Sequence, residues 1–309
     1  MTVFITAYLA FLSKIPFFHL EGGLRTFNKL SPFPEEILRT LVGKVAEFHF
    51  VPTKIAKQNL LNEGISENRI LVTGNTVVDA LYLAKDRVNL EKVKTEMLKY
   101  KFPVKKLNGK YKIVPITVHR RENIGQPIVN ICRSIKKLSI KYKDVIFIWL
   151  LHKNPEVRKI IKNGIGLETE NIYFTEPLSY NSMVYLMKNS FLLMTDSGGI
   201  QEESPTFGKP VIILREFTER PEVVSNGNGF LMGAGVPENK IISIFEKLYE
   251  DKSFYKSTNK KGNPFGDGKA TERISKFLFN SEIGNFVKNY PESNTLSLSI
   301  GKINEFKGV

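Results

Sequence analysis

Carboxylates, histidines and arginines stand at the ends of apolar runs in this chain, and these are residue types that move protons and hold phosphate. Thr195-Asp196-Ser197-Gly198-Gly199-Ile200-Gln201-Glu202-Glu203 follows an apolar run and precedes Gly208-Lys209-Pro210 and a second apolar run, Val211 to Leu214. A strand that breaks at two glycines and restarts as a helix brings bare N–H groups, a serine hydroxyl and a helix N-terminus to one point, which favours phosphate. Glu202 and Glu203 sit in the first turns beyond the glycines, placed to accept hydrogen bonds from a sugar diol. Thr117-Val118-His119-Arg120-Arg121-Glu122-Asn123 sets an imidazole beside two guanidinium groups. They disfavour the protonated ring and offer two-pronged contacts to phosphate; a salt-bridged loop fits equally well.

Four further segments belong to this set. His19-Leu20-Glu21-Gly22-Gly23-Leu24-Arg25-Thr26 reads, taken alone, as a turn around a hydrogen-bonded glutamate. In Ser31-Pro32-Phe33-Pro34-Glu35-Glu36 the acidic residues also simply complement a helix dipole. His152 follows another apolar run. Arg215 and Thr218-Glu219-Arg220-Pro221-Glu222 lie just past the next one, where Arg220 pairs with a phosphate or with Glu219 or Glu222.

The elements that must position these groups alternate. Val3 to Ser13 predicts a buried helix, Phe17 to Leu20 a short buried strand, and Pro34-Glu35-Glu36 opens a helix running towards Lys44. Phe48 to Val51 is a strand, Thr53 to Glu63 a helix stopped by Gly64, and Ile70 to Val72 a strand. Residues 76–111 are polar and lysine-rich with helical stretches, and read as a linker. Then come strands at Lys112 to Val118, Val145 to Leu151 and Ile172 to Phe174, alternating with helices at Ile128 to Tyr142, Pro155 to Asn163 and Tyr180 to Lys188. Continuous apolar strands separated by helices indicate a parallel sheet covered on both faces, with ligands beyond the carboxyl ends of its strands.

At 309 residues the chain is long enough for two domains, and 42% hydrophobic with 25% charged residues is ordinary for a globular protein. One cysteine, Cys132, excludes an internal disulfide and a cysteine-based zinc site and agrees with a reducing, cytoplasmic setting. The net charge of +14 raises nucleic acid or a membrane surface as partners. The lysines are scattered, and no basic run interleaves with aromatics, so neither is expected. The apolar N-terminus has its only lysine late, unlike a signal peptide, and Pro16 interrupts it well short of the roughly 20 residues a spanning helix needs.

In order and spacing these segments resemble the non-hydrolysing UDP-N-acetylglucosamine 2-epimerases. The matching pieces are His19–Thr26, Ser31–Glu36, Phe50-Val51-Pro52-Thr53, Thr73-Gly74-Asn75-Thr76-Val77-Val78-Asp79, His119–Glu122, Thr195–Glu203, Thr218–Glu222 and Asn263-Pro264-Phe265-Gly266-Asp267-Gly268. The resemblance covers about residues 1–282. It implies an α/β fold of two Rossmann-like domains in the glycosyltransferase-B arrangement, with the substrate between them. Their extents would be 1–75 for the first domain, 76–111 for the linker, 112–262 for the UDP-binding domain and 263–282 for a closing helix, leaving 283–309 as a divergent tail. It further implies that UDP leaves C1 as the C2 proton leaves, giving a 2-acetamidoglucal, and then adds back with protonation on the opposite face. No NAD or other cofactor and no metal is implied. Glu21 and Glu35 would be catalytic carboxylates, and His119 a catalytic or diphosphate-contacting histidine. Ser197, Gly198 and Gly199 would bind diphosphate, Glu203 the ribose and Arg220 a phosphate. Arg120 and His152 match positions that in some members hold a second, activating UDP-sugar. Family members are commonly homodimers.

Two family segments do not occur here: a leading glycine-rich turn of the Gly-Thr-Arg-Pro-Glu type, and a Gly-Asp-Thr whose aspartate is catalytic. Aligned back from His19 without gaps, Met1 falls just after that Gly-Asp-Thr. The expectation is an incomplete first domain, from a gene fragment or a misplaced start, with poor packing there and little turnover by residues 1–309 alone. A UDP-sugar-binding remnant without turnover and a hydrolysing epimerase are the competing readings.

Overall fold

The computed structural model describes residues 1–166, 170–258 and 262–279. The expected tail, residues 283–309, and the end of the expected closing helix lie outside the described residues.

Two parallel sheets organise the chain. The first runs β1 (Phe18–Leu20), β2 (Phe48–Val51), β3 (Ile70–Val72) in that spatial order. Helices lie between the strands as the sequence predicts, Glu35–Val45 and Lys54–Asn62, the latter capped by the Thr53 hydroxyl, which accepts from the Ala56 N–H at 3.0 Å. The second sheet is built from β4 (Lys112–Val118), β5 (Val145–Leu151), β6 (Ile172–Thr175), β7 (Leu193–Thr195), β8 (Val211–Ile213) and β9 (Gly229–Leu231), in the order β6-β5-β4-β7-β8-β9.

β5 shows why its apolar run does not alternate. Val145, Phe147, Trp149 and Leu151 pack into a core with the helices Gln126–Lys141, Pro155–Ile165 and Glu238–Glu250. Ile146, Ile148 and Leu150 face the opposite layer with Val93, Met97 and Leu186. Both faces are covered, so every residue of β5 is buried. Residues 76–111, read as a linker, carry the helices Thr76–Lys85 and Leu90–Lys99, which bury Val78, Leu81, Val93 and Met97 in the layers around the second sheet. The Ala270–Phe279 helix returns to the first sheet, setting Ile274 and Phe277 against Phe48 and Phe50. Asp79 receives the N–H groups of Ala270 and Thr271 at 3.0 and 2.6 Å and so fastens that return.

The N-terminal helix corrects the sequence reading. Thr2–Leu12 is helical, but Ala7 is its only buried residue, and Val3, Leu9, Phe11 and Leu12 are each more than half exposed. The segment is apolar all round, whereas only one side meets the Glu35–Val45 helix; apolarity alone does not say which faces will be covered. β1 is likewise not fully buried, for Leu20 points to solvent while His19 is enclosed.

Candidate active-site cleft

The second sheet reverses its winding between β4 and β7. From β4 the chain builds outward to β5 and β6, then returns to lay β7, β8 and β9 on the other side. Ligands of such sheets bind at this switch point, beyond the strand ends. His119 follows β4 there and Asp196 follows β7. His119 Nδ1 lies 2.9 Å from Asp196 Oδ1, with the imidazole about a third exposed and the carboxylate fully buried. Asp196 Oδ2 accepts the backbone N–H groups of His119 and Arg120 at 2.8 Å each and Asn123 Nδ2 at 2.9 Å. Burial alone would raise the Asp196 carboxyl. The contact with His119 and the two backbone donors outweigh it and hold Asp196 below the usual range. The His152 ring lies beside His119, centroids 5.8 Å apart.

Glu35 is brought to the same place from the first domain. A hollow of about 210 Å³ is lined by Pro32, Phe33, Pro34 and Glu35 on one side and by His119, Arg120, Arg121 and Glu122 on the other. The neighbouring Glu36 is buried and shapes the backbone instead, accepting the N–H groups of Thr26 and Phe27 at 3.0 and 2.9 Å. Arg120 Nε is buried with no hydrogen-bond partner among the described residues, as fits a group kept for an anion.

Ser197 starts the Gly198–Glu203 helix without capping it through its hydroxyl. The first N–H groups therefore remain for an anion. Gly198 is needed for a close approach: a Cβ there would stand 2.3 Å from Arg220 Nη1 and 2.5 Å from its guanidinium carbon. Arg220 is buried against this turn. Of the sequence alternatives, its partner is Glu219, at 2.6 Å, joined by Glu202 at 2.6 Å; Glu222 instead takes the Thr53 hydroxyl. Burial disfavours the Arg220 charge, but these carboxylates more than restore it.

Glu219 is the centre of a buried charge network that spacing could not reveal. It binds Arg215 at 2.6 Å and Arg39 of the first domain at 3.4 Å, and Arg215 reaches Glu122 at 3.1 Å. Against the cost of burial, the three arginines hold Glu219 far below the usual carboxylate range. Glu202 goes the other way. Burial, reinforced by the nearby Glu21 and Glu219 carboxylates, pushes it up to about 7 in spite of Arg220. Its second oxygen accepts Asn75 Nδ2 at 2.7 Å, tying the Thr73–Thr76 segment to the glycine turn. Burial also raises Glu203, whose carboxylate accepts the Tyr180 hydroxyl at 2.8 Å.

Glu21 is exposed at the end of β1 with φ at 59°, a left-handed conformation uncommon for a glutamate. It lines a depression with Thr73, Gly74, Asn75 and Thr76 rather than the hollow of Glu35 and His119. Its link to the site is the Glu202–Arg220 pair, which feels its charge. Gly23, two residues on, has φ at 81°, and a Cβ there would meet the Ala56 carbonyl oxygen at 2.1 Å. Arg25 is structural: it forks onto Glu63 at 2.6 and 2.9 Å. Among the described residues no group of three His, Cys, Asp or Glu side chains is placed to hold a metal, and no helix is long and apolar enough to cross a membrane.

Comparison with known proteins shows the family and the fold. The family profile described as UDP-N-acetylglucosamine 2-epimerase matches residues 1–279. The UDP-N-acetylglucosamine 2-epimerases of Campylobacter jejuni and Salmonella borreze are each 41% identical, over 90% and 91% of this chain and 72% and 73% of theirs. The crystal structure of UDP-GlcNAc 2-epimerase from Neisseria meningitidis bound to UDP-GlcNAc superimposes with a TM-score of 0.82 at 42% identity, over 89% of this chain and 72% of that one. The Methanocaldococcus jannaschii enzyme in complex with UDP-GlcNAc and UDP gives 0.73 at 36% identity, over 90% and 72%. The chain belongs to the UDP-N-acetylglucosamine 2-epimerase family.

Proposed function

We propose that this chain interconverts UDP-GlcNAc and UDP-ManNAc by eliminating and re-adding UDP in the cleft between its two sheets. The C2 hydrogen of the sugar has no adjacent carbonyl to acidify it. Its removal therefore has to be coupled to departure of UDP from C1 and assisted by placed acid and base groups, each contributing about 100- to 10,000-fold. Retaining UDP beside the unsaturated intermediate makes re-addition effectively unimolecular. The diphosphate would sit on Ser197, Gly198 and Gly199 with Arg220 behind them, and Glu203 would hold the ribose. Glu21, Glu35 and His119 would handle protons and the leaving diphosphate. Arg120, which follows His119 in the chain, and His152, whose ring lies beside it, would contact a second UDP-sugar acting as activator.

The observation that carries this reading is the hollow shared by Glu35 and His119 at the switch point, next to the uncapped Ser197-Gly198-Gly199 turn. Glu35→Gln and His119→Gln should each lower epimerisation by about 100- to 10,000-fold, with UDP still bound in calorimetry. Unchanged rates in both variants would overturn the assignment. The division at 1–75, 76–111 and 112–262 belongs to the same proposal, supported by the two separate sheets. So does a homodimer, which light scattering of the purified chain would test. A cytoplasmic location is supported by the single, buried, free Cys132.

A further inference from the structure

Asp196 stands at the switch point, yet none of the roles above uses it. We propose that Asp196 is the positioning residue for His119, holding the imidazole with Nδ1–H turned inward and Nε2 presented to the hollow shared with Glu35. This deepens the epimerase reading and rests on it for the meaning of the Nε2 position.

The geometry is over-determined. Nδ1 lies 2.9 Å from Oδ1, a buried acceptor with no other partner among the described residues, and because an ionised carboxylate only accepts, a bond between the two puts the hydrogen on Nδ1. Oδ2 is committed to three other donors: the N–H groups of His119 and Arg120 and the side-chain amide of Asn123. Asn123 is itself fixed, since its Nδ2 also donates to the Leu214 carbonyl at 2.9 Å. One buried side chain therefore sets the backbone of the His119 loop, its ring orientation and its tautomer. Asp196 also directly precedes Ser197 in sequence, so the proton-handling ring and the phosphate-handling turn are fastened to each other. A carboxylate behind an imidazole orients it and stabilises its cation. At Nε2 the ring can then take up or give one proton facing the substrate.

Asp196→Asn separates these functions. Three donors converge on the Oδ2 position and keep the amide oxygen there. The new NH₂ group then occupies the Oδ1 position and points at Nδ1, which must become the unprotonated nitrogen. The ring stays in place while its hydrogen moves to Nε2. The chain has four histidines, so ¹⁵N-histidine NMR resolves them, with His119 assigned through His119→Gln. The expected result is the Nδ1–H tautomer in the wild type and the Nε2–H tautomer in Asp196→Asn. UDP affinity should stay within about threefold, and exchange of the sugar C2 hydrogen with solvent should fall about 100- to 10,000-fold. The Nε2–H tautomer in the wild type, a spectrum unchanged by the substitution, or full exchange activity in the variant would overturn the proposal. The wild-type spectrum decides even if the variant does not fold. The tautomer readout is independent of turnover: a switch in a chain that never exchanges C2 would keep the role of Asp196 and remove the epimerase reading alone.

Discussion

Gly198 and Gly199 are adjacent and similar in sequence, yet the structure assigns them opposite sensitivities. A Cβ on Gly198 would stand 2.3, 2.5 and 2.9 Å from Nη1, Cζ and Nη2 of Arg220. A long side chain can normally swing aside, but this one is buried and held by Glu202 and Glu219 at 2.6 Å each. Moving it separates buried ion pairs, which costs about 3–5 kcal/mol. Alanine in place of a helical glycine returns up to about 1 kcal/mol. Gly198→Ala should therefore lose about 2–4 kcal/mol of stability in urea unfolding. A Cβ on Gly199 meets nothing closer than Ser197 Oγ at 3.9 Å, so Gly199→Ala should be neutral or gain up to about 1 kcal/mol. In calorimetry, UDP should bind Gly198→Ala at least about tenfold more weakly, a loss of about 1.4 kcal/mol, because Arg220 no longer lies behind the turn. Equal stability and equal UDP affinity of the two variants would refute the account of this turn.

Other consequences concern pH. Glu202, pushed up to about 7 by burial, gains a negative charge beside the Ser197-Gly198-Gly199 turn as pH rises through neutrality. The affinity for UDP-GlcNAc, whose diphosphate does not titrate there, should weaken over that range, and Glu202→Gln should flatten the dependence; a wild-type affinity constant from pH 6 to 8 would count against it. His19 and His49 pair face to edge across β1 and β2, and burial lowers them to about 3 and about 4. Their folded values lie below the unfolded one, so stability holds above about pH 6.5 and falls as pH drops towards 4. The limiting slope is about 1.4 kcal/mol per pH unit for each histidine. His49→Leu should shrink the difference in urea midpoint between pH 7 and pH 5, and an unchanged difference would exclude this cause.

Much of this was legible in the sequence, for physical reasons. The strands of the second domain announce themselves because sheets buried on both faces leave unbroken apolar runs, as in Val145–Leu151. The glycine turn is legible because its signal is local: a strand end, two glycines and a helix start within nine residues, Thr195–Glu203. The union of Glu35 with His119 followed from the resemblance. What spacing could not convey is pairing across the cleft. Arg39 with Glu219 and Thr53 with Glu222 join residues 180 and 169 positions apart, and only the fold chooses Glu219 and Glu202 over Glu222 for Arg220. Asp196 was noted at its strand end, but its four contacts come from the meeting of β4 and β7. β9 has three residues led by a glycine, too few for a period to show. The exposed side of the Thr2–Leu12 helix shows the converse limit, since apolarity records what a segment avoids and not what is there to cover it.

The most direct test of the account is proton NMR of UDP-GlcNAc incubated with this chain in deuterium oxide. Elimination and re-addition must replace the C2 hydrogen from solvent, so deuterium should accumulate at C2 in both UDP-GlcNAc and UDP-ManNAc over hours, which lets even slow turnover be read. Tight binding of UDP with the C2 hydrogen fully retained, or release of free N-acetylmannosamine and UDP as the only products, would contradict it.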